Sequence, residues 1–352
     1  MSEKIDLRSM LPEELPALLK EHGIEAYRAK QIVSWLEKGA RSFEEMTNLS
    51  KAHREKLSDL FEISNMKEAD RLVSKIDGTR KYLFTLPDGE YVESVLLSYK
   101  HGYSVCLSTQ VGCKMGCRFC ASTKAGFCRN LSAGEILLQM VEITRDMRKE
   151  DESFRIGHVV LMGIGEPLDN YDNVLRFLKL CNHPNLFGIG YRNISLSTCG
   201  LIPQIRRLMQ EDIPLTLSIS LHASNAELRS ELMPVNRTYP MEELLRTCKE
   251  YTKHTGRRIS FEYAVIAGVN DTPARAKELI GLLGGWMNHL NLIPVNPTKE
   301  TSFRPSDKKS MEAFVKTLEK GSLSVTVRRT LGTDIEAACG QLRREKQILT
   351  KE

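Results

Sequence analysis

The chain has 352 residues, of which 41% are hydrophobic, 27% charged and 7% aromatic. Those proportions suit a globular protein with its own core and exclude intrinsic disorder, a collagen-like fibre and a coiled coil. Lys and Arg outnumber Asp and Glu by 50 to 45, a net charge of +5 that by itself says little about partners.

Residues 1–65 read as helical, with helices expected over Pro12–His22, Ala26–Lys38 and Ser50–Leu60 and breaks at Gly23 and Gly39–Ser42. Residues 66–98 switch to short β-type runs, Leu72–Ile76, Lys81–Leu86 and Tyr91–Ser98. Asp77-Gly78 and Pro87-Asp88-Gly89 are the turns between them. From 99 to 345 strands alternate with helices. Strands are expected at Ser104–Ser108, His158–Ile164, Ile194–Thr198, Leu215–Ser220, Ile259–Ile266, His289–Val295 and Ser324–Arg328. The helices between them are Ala133–Lys149, Tyr171–Cys181, Ile202–Gln210, Met241–His254, Pro273–Leu283 and Lys308–Glu319. Ser132, with Glu135 three residues on, makes a capping box for the first. Such alternation specifies βαβ units on a parallel sheet. The fold expected is therefore α/β: a partial barrel of about six units, an N-terminal helical domain (1–65), a β-hairpin linker (66–98) and a core (99–345).

Nine cysteines are too few for a disulfide scaffold, so clustered ones are read first as metal-binding or catalytic. Three sit together in Cys113-Lys-Met-Gly-Cys117-Arg-Phe119-Cys120, in the loop after the first barrel strand. Three thiolates so spaced can hold an iron–sulfur cluster and leave one iron open. The alternative is a zinc knuckle that recruits Cys106 or Cys128 as fourth ligand. Four further motifs end successive strands: Met162-Gly-Ile-Gly165-Glu166-Pro167, Ser195-Leu-Ser197-Thr-Cys199-Gly200, Ser218-Ile-Ser220-Leu221-His222-Ala223 and Asn291-Leu-Ile-Pro294-Val-Asn296. The C-terminal ends of parallel strands are where β/α barrels build active sites. A last motif, Thr333-Asp-Ile-Glu-Ala-Ala-Cys339-Gly, follows the final strand.

In these motifs and their order the chain resembles the radical S-adenosylmethionine RNA adenosine methyltransferases, the RlmN and Cfr family. The resemblance implies a partial (β/α)6 barrel and one 4Fe-4S cluster on Cys113, Cys117 and Cys120. It implies S-adenosylmethionine contacts at Gly165, Glu166, Ser197, Ser220, Leu221, His222 and Asn296. Cys339 would be the methyl carrier, taking a methyl from one S-adenosylmethionine. A second molecule, cleaved to a 5′-deoxyadenosyl radical, would remove hydrogen from that methyl, so two are used per turnover. The methylene carbon would then add to an adenine ring, Glu93 would accept the ring proton, and Cys106 would resolve the adduct by forming a disulfide with Cys339.

The substrates so implied are 23S rRNA, at carbon 2 of an adenosine in the peptidyl-transferase region, and an anticodon-loop adenosine of tRNA. A Cfr-type enzyme acting at carbon 8 is the nearest alternative, but that pattern tends to carry Ala where this chain has Pro167. A zinc-stabilised RNA-binding protein without catalysis is the alternative from another class. Charge fits RNA: Ser94–Gly134 holds five Lys or Arg and no Asp or Glu. The N-terminal helices resemble the family's RNA-binding accessory domain. An electron donor such as flavodoxin and a monomeric enzyme are expected. No apolar run approaches the roughly 18 residues needed to cross a bilayer and the polar start is no signal peptide, so the expected location is the cytoplasm, away from membranes.

Overall fold

Apolar residues of the first sixty positions close around a small core of their own. The computed structural model describes residues 4–100, 102–297 and 301–342. Residues 343–345 of the expected core lie outside the described residues. Strand β1 (Ile5–Asp6) leads into helices α1 (Leu15–Glu21), α2 (Arg28–Glu37) and α3 (Lys51–Leu60), and β2 (Phe61–Glu62) returns to pair with β1 in parallel. Leu7, Leu19, Ile32, Phe43, Leu57 and Phe61 form the centre. The Ser50 side chain accepts from His53 N and starts α3. Arg8 is buried in this unit and donates to Leu36 O (2.9 Å), Ala40 O (2.5 Å) and Ser64 O (3.2 Å). Those carbonyls end α2 and the loops beside it, so one guanidinium closes the unit.

The hairpins and the barrel share a single ten-stranded sheet. Strands β3 (Lys67–Val73), β4 (Arg80–Thr85), β5 (Tyr91–Tyr99) and β6 (Gly102–Cys106) pair antiparallel in succession. A separate small hairpin follows, β7 (Gln110–Gly112) with β8 (Phe127–Asn130). Beyond it β6 pairs in parallel with β9 (Ile156–Leu161). Then come β10 (Ile194–Thr198), β11 (Thr216–Ser220), β12 (Ile259–Val265), β13 (Asn288–Pro294) and β14 (Val325–Val327), each parallel to the last. Sequential order with same-handed crossovers keeps the helices on one face and curls the sheet around the other. Strand β5 occupies the edge of β6 that a closed barrel would give to its last strand. The barrel is therefore open.

The crossover helices are α4 (Ala133–Met147), α5 (Tyr171–Asn182), α6 (Ile202–Leu208), α7 (Ala226–Leu232), α8 (Met241–Thr255), α9 (Pro273–Leu283) and α10 (Lys308–Lys320). Every residue of α4 except Arg145 is buried, because the N-terminal unit covers its outer side. Arg41 meets Glu142 at 2.7 Å, Arg176 pairs with Glu14 and Gly134 N donates to Ser9 Oγ at 2.8 Å.

Two local departures from the sequence reading have physical causes. Strand β3 starts at Lys67 and stops at Val73, so the apolar Ile76 lies in a turn. There the Ser74 hydroxyl accepts from Ile76 N and Asp77 N, and Asp77 accepts from Thr79 N, a local hydrogen-bond set that outcompetes the ladder. Helix α7 carries no long apolar stripe and is started instead by Asn225, whose side chain accepts from Leu228 N.

Replacing Arg8 with Met should destabilise the protein by roughly 2–4 kcal/mol, because buried carbonyls lose a charged donor. Denaturant unfolding of the purified protein measures this, and an unchanged midpoint would show that the N-terminal unit does not depend on Arg8.

Candidate active site

The ends of β9 to β13 and the loop after β7 converge on a cavity of about 940 Å³. Cys113, Cys117 and Cys120 all line it. The loop that carries them is closed by Cys113 N donating to Gly126 O at 3.1 Å and tied to α7 by Arg118 N donating to Leu232 O at 2.9 Å. Burial, and then the neighbouring thiols and carboxylates, push Cys113 up to about 12. Burial, then the neighbouring thiols and Glu166, raises Cys117, and burial, opposed by hydrogen bonds from Ser122, raises Cys120. Three such thiols hold their protons in this setting, and a bound metal centre supplies the positive charge that would ionise them.

The donor set discriminates between metal centres. Among the described residues no three Cys, His, Asp or Glu side chains converge on one point that could hold a single ion. Neither Cys106 nor Cys128 lines the cavity with the trio; Cys106 opens into an adjoining space and Cys128 is exposed beside Glu90. With Cys106 and Cys128 both away from the trio, the zinc knuckle expected as the alternative lacks its fourth ligand, and three thiols lining one cavity fit an iron–sulfur cluster better.

Six of the seven expected cofactor contacts line the same cavity: Gly165, Glu166, Ser197, Ser220, His222 and Asn296. Leu221 does not; it is fully buried behind the wall, with its N–H donated to Glu262 O at 3.0 Å. Gly165 has φ +109°, and a Cβ there would lie 2.6 Å from Gln110 Cβ, so the turn admits no side chain. Gln110 Oε1 then accepts from Glu166 N at 2.9 Å. Burial raises the Glu166 carboxyl, opposed by N–H donors from Cys199 (2.7 Å) and Leu168 (3.0 Å). His222 adopts φ +55°, a left-handed conformation rare for a residue with a side chain. Its Nδ1 accepts from Ala264 N at 2.8 Å, which assigns the proton to Nε2. Burial, with nearby Arg229, pushes this imidazole down to about 3, so it is neutral at physiological pH.

Cys339 enters the cavity from the far end of the chain, beside Gly340. Four contacts fasten its loop over the opening. Asn296 Nδ2 donates to Cys339 O (3.1 Å), Ala121 N to Gly340 O (2.8 Å), Ser122 Oγ to Leu342 O (2.9 Å) and Gln341 Nε2 to Pro297 O (2.9 Å). Cys339 also lines an adjoining space of about 520 Å³ that holds Cys106 at the end of β6. Burial, then the neighbouring Cys339, pushes the Cys106 thiol up to about 12. Glu93 lies on β5 outside both cavities, buried beneath this loop. Lys81 pairs with it at 3.2 Å and also donates to Glu336 O at 3.3 Å.

Two charged groups of the site carry no sequence motif. Arg328, just past β14, lines both cavities and meets Met162 Sδ at 3.3 Å; the nearby Cys339, above all, holds its guanidinium in the charged form. Glu262 of β12 is buried in the wall, where Asn291 Nδ2 donates to it at 2.7 Å. Nothing in their sequence neighbourhoods marks them, since each reads as an ordinary strand residue. Replacing Cys117 with Ala should leave a folded protein that retains less than about a tenth of the iron and sulfide bound by the parent after anaerobic reconstitution. Full iron content in that variant would remove Cys117 from the ligand set.

The family model described as the radical SAM superfamily matches residues 107–280, and that of the ribosomal RNA large subunit methyltransferase N-terminal domain matches 5–63. A probable dual-specificity RNA methyltransferase RlmN of Alkaliphilus metalliredigens is 48% identical, over 97% of this chain and 96% of its own. Its counterpart in Clostridium perfringens is 51% identical over 94% of both chains. The crystal structure of a radical SAM methyltransferase from Sphaerobacter thermophilus superposes with a TM-score of 0.92 at 40% identity, over 97% of this chain and all of the other. With near-half identity along almost its entire length, this chain belongs to the RlmN family of dual-specificity RNA methyltransferases, within the radical S-adenosylmethionine superfamily.

Proposed function

We propose that this chain methylates carbon 2 of adenosine in 23S rRNA and in the anticodon loop of tRNA, with Cys339 as the methyl carrier. One observation carries the reading: a single cavity is lined by the three-cysteine loop and by Cys339, and the next cavity joins Cys339 to Cys106. Cys113, Cys117 and Cys120 would hold a 4Fe-4S cluster. Gly165, Glu166, Ser197, Ser220, His222 and Asn296 would seat S-adenosylmethionine, with Leu221 acting through its backbone. When bound, these groups supply the one-electron cleavage that turns S-adenosylmethionine into a hydrogen-atom abstractor.

The rest is the work of the chain's own side chains. Adenine carbon 2 is electron-poor and has no lone pair, so it cannot displace a methyl from a sulfonium. Cys339 can, because a thiolate is a strong nucleophile. One S-adenosylmethionine therefore supplies the carbon and a second the hydrogen abstraction, two per turnover. After the carbon on Cys339 joins the ring, Glu93 would take the ring proton. Its burial under the loop, held by Lys81, means that the loop must shift for the carboxylate to reach the base. Cys106 would then attack the Cys339 sulfur, forming an S–S bond and breaking the C–S bond to the RNA; the pair from that bond stays on the methylene carbon, which takes a proton to become methyl, and the unpaired electron left by the addition would pass back to the one-electron carrier.

RNA would bind through residues 1–65 and the rim of the cavity. Of the five cations in Ser94–Gly134, Lys114 pairs with Asp169, Arg118 with Glu231, and Arg129 with Asp88 and Glu135. Lys100 and Lys124 form no ion pair among the described residues, and they supply the phosphate contacts that this stretch can offer. The target base must leave its stack to enter. A small one-electron carrier such as flavodoxin would feed the cluster of a monomeric enzyme in the cytoplasm. No helix among the described residues is long and apolar enough to cross a membrane.

Cys339→Ala should abolish methylation, a loss of more than about 10³-fold, while iron content stays intact. Mass spectrometry of adenosine from a complemented host measures it and also reads the position, since methyl at carbon 8 would replace this reading by the Cfr type. Cys106→Ala should start the reaction and stall as a protein–RNA adduct visible on a denaturing gel; turnover without an adduct would remove Cys106 from the resolving role. In the parent enzyme the Cys106 thiol is protonated at neutral pH, and its thiolate fraction grows about tenfold per pH unit below its raised pKa. Adduct decay in single turnover should therefore accelerate from about pH 6.5 to about pH 8.5, and a flat profile would mean that another group resolves it.

A further inference from the structure

Arg229, on α7, is fully buried, and no acidic side chain answers its charge among the described residues. Its Nη1 donates to Asn236 Oδ1 at 2.9 Å, and its Nη2 to Cys199 O at 2.6 Å and Ser220 O at 3.1 Å. The Nε–H has no hydrogen-bond partner among the described residues. Arginine does not discharge by losing its proton under physiological conditions, so this is a lone cation in a low-dielectric interior, a costly state unless a negative group shares the space. The acceptors it has are neutral carbonyl groups. They satisfy geometry and leave the charge uncompensated.

The location names the missing charge. Cys199 and Ser220, whose carbonyls receive the guanidinium, both line the cavity that the three-cysteine loop faces. The end of α7 is bonded to that loop by Arg118 N donating to Leu232 O at 2.9 Å, and a Cβ on Gly116 would lie 3.4 Å from the Pro234 ring. An iron–sulfur cluster on three thiolates carries net negative charge, which grows by one on reduction. Burial and nearby charge are among the main determinants of such a potential.

We propose that Arg229 is the counter-charge of the cluster: a fixed cation behind the Cys199–Ser220 wall that favours the reduced state and raises the potential at which the cluster accepts its electron. This rests on the reading of Cys113, Cys117 and Cys120 as cluster ligands. Arg229 touches neither substrate nor reacting atoms, so it acts as a positioning charge. Its neutral replacement should leave the fold and the ligands in place and make the cluster harder to reduce.

The test uses anaerobically reconstituted holoenzyme without RNA, in the parent, R229K and R229M forms. Iron and sulfide content are measured first, then the cluster is titrated with dithionite-poised mediators and followed by electron paramagnetic resonance. R229M should load iron and show at least a tenfold lower reduced-to-oxidised ratio at a fixed potential, equivalent to a midpoint about 59 mV more negative for one electron. R229K keeps the charge while losing the fork of hydrogen bonds, and should stay within about threefold of the parent. A parent-like midpoint in iron-loaded R229M would overturn the proposal and leave Arg229 as a structural tie. If R229M loads no iron, R229Q and R229K are compared instead, and equal midpoints for the neutral and charged side chains overturn it as well. A parent protein that binds no iron would sink the cluster reading itself, an outcome distinct from an unshifted midpoint.

Discussion

The site depends on a stitch between two distant stretches of chain. Ala121 N donates to Gly340 O and Ser122 Oγ to Leu342 O, which fastens the segment after the last strand to the segment just after Cys120. Asn296 and Gln341 add two more contacts from the mouth of β13. On its other side the loop is held by the turn between β3 and β4. There Ser74 Oγ and Lys75 N donate to Asp334, and Gly332 N donates to Asp77. Each bond contributes on the order of 1 kcal/mol, so the loop is seated yet can be released by a binding partner that competes for a few of them. If Cys339 carries the methyl as proposed, it must visit a cofactor, a base and a resolving thiol, and such intermediate anchoring would allow it.

Uncompensated and paired charges divide the site into regions with different chemistry. Behind the Cys199 wall lies Arg229 alone; at the seam of the two cavities lies Arg328, facing Cys339, Cys106 and Glu262. Under the loop, Lys81 and Glu93 form a buried pair. At Cys106 burial pushes the thiol up, and Arg328 is a cationic neighbour that works against it. The half-exposed Cys339 and the buried Cys106 thus differ in access to solvent, which suits one to accept a group first and the other to act last.

The open barrel explains how an RNA base could reach this depth. Because β5 takes the edge that would close the ring, the hairpins extend the sheet and carry the turn that holds the Cys339 loop. The N-terminal unit packs on α4 through Arg41–Glu142 and on α5 through Glu14–Arg176, outside the sheet. The acid-free stretch Ser94–Gly134 proves less basic in space than in sequence, since acids from α7 and from the loops before β5 and after β9 neutralise three of its cations.

Local chemistry made much of this legible from the chain alone. Period-two and period-3.6 patterns marked the barrel strands and crossover helices to within a few residues, and the Ser132–Glu135 capping box forms as expected. The three-cysteine loop, the Gly-Glu-Pro turn and the motif around Cys339 were visible because each packs several specific residues into a short span. Isolated charges were not: Arg229, Glu262 and Lys81 look like surface residues until folding buries them, and Arg328 until folding brings it to the cavity wall. The same holds for Ser74 to Thr79, where side-chain hydrogen bonds beat an apolar strand signal, and for Leu221, whose motif neighbours face the cavity while its own side chain faces the core. The sequence by itself determined the order of elements and the residue types available for chemistry, because helix, strand and turn preferences act over a few neighbouring residues. Only the tertiary structure decided which charges stand unpaired and which thiols share a cavity, because burial and electrostatics depend on distances between residues that are hundreds of positions apart in the chain.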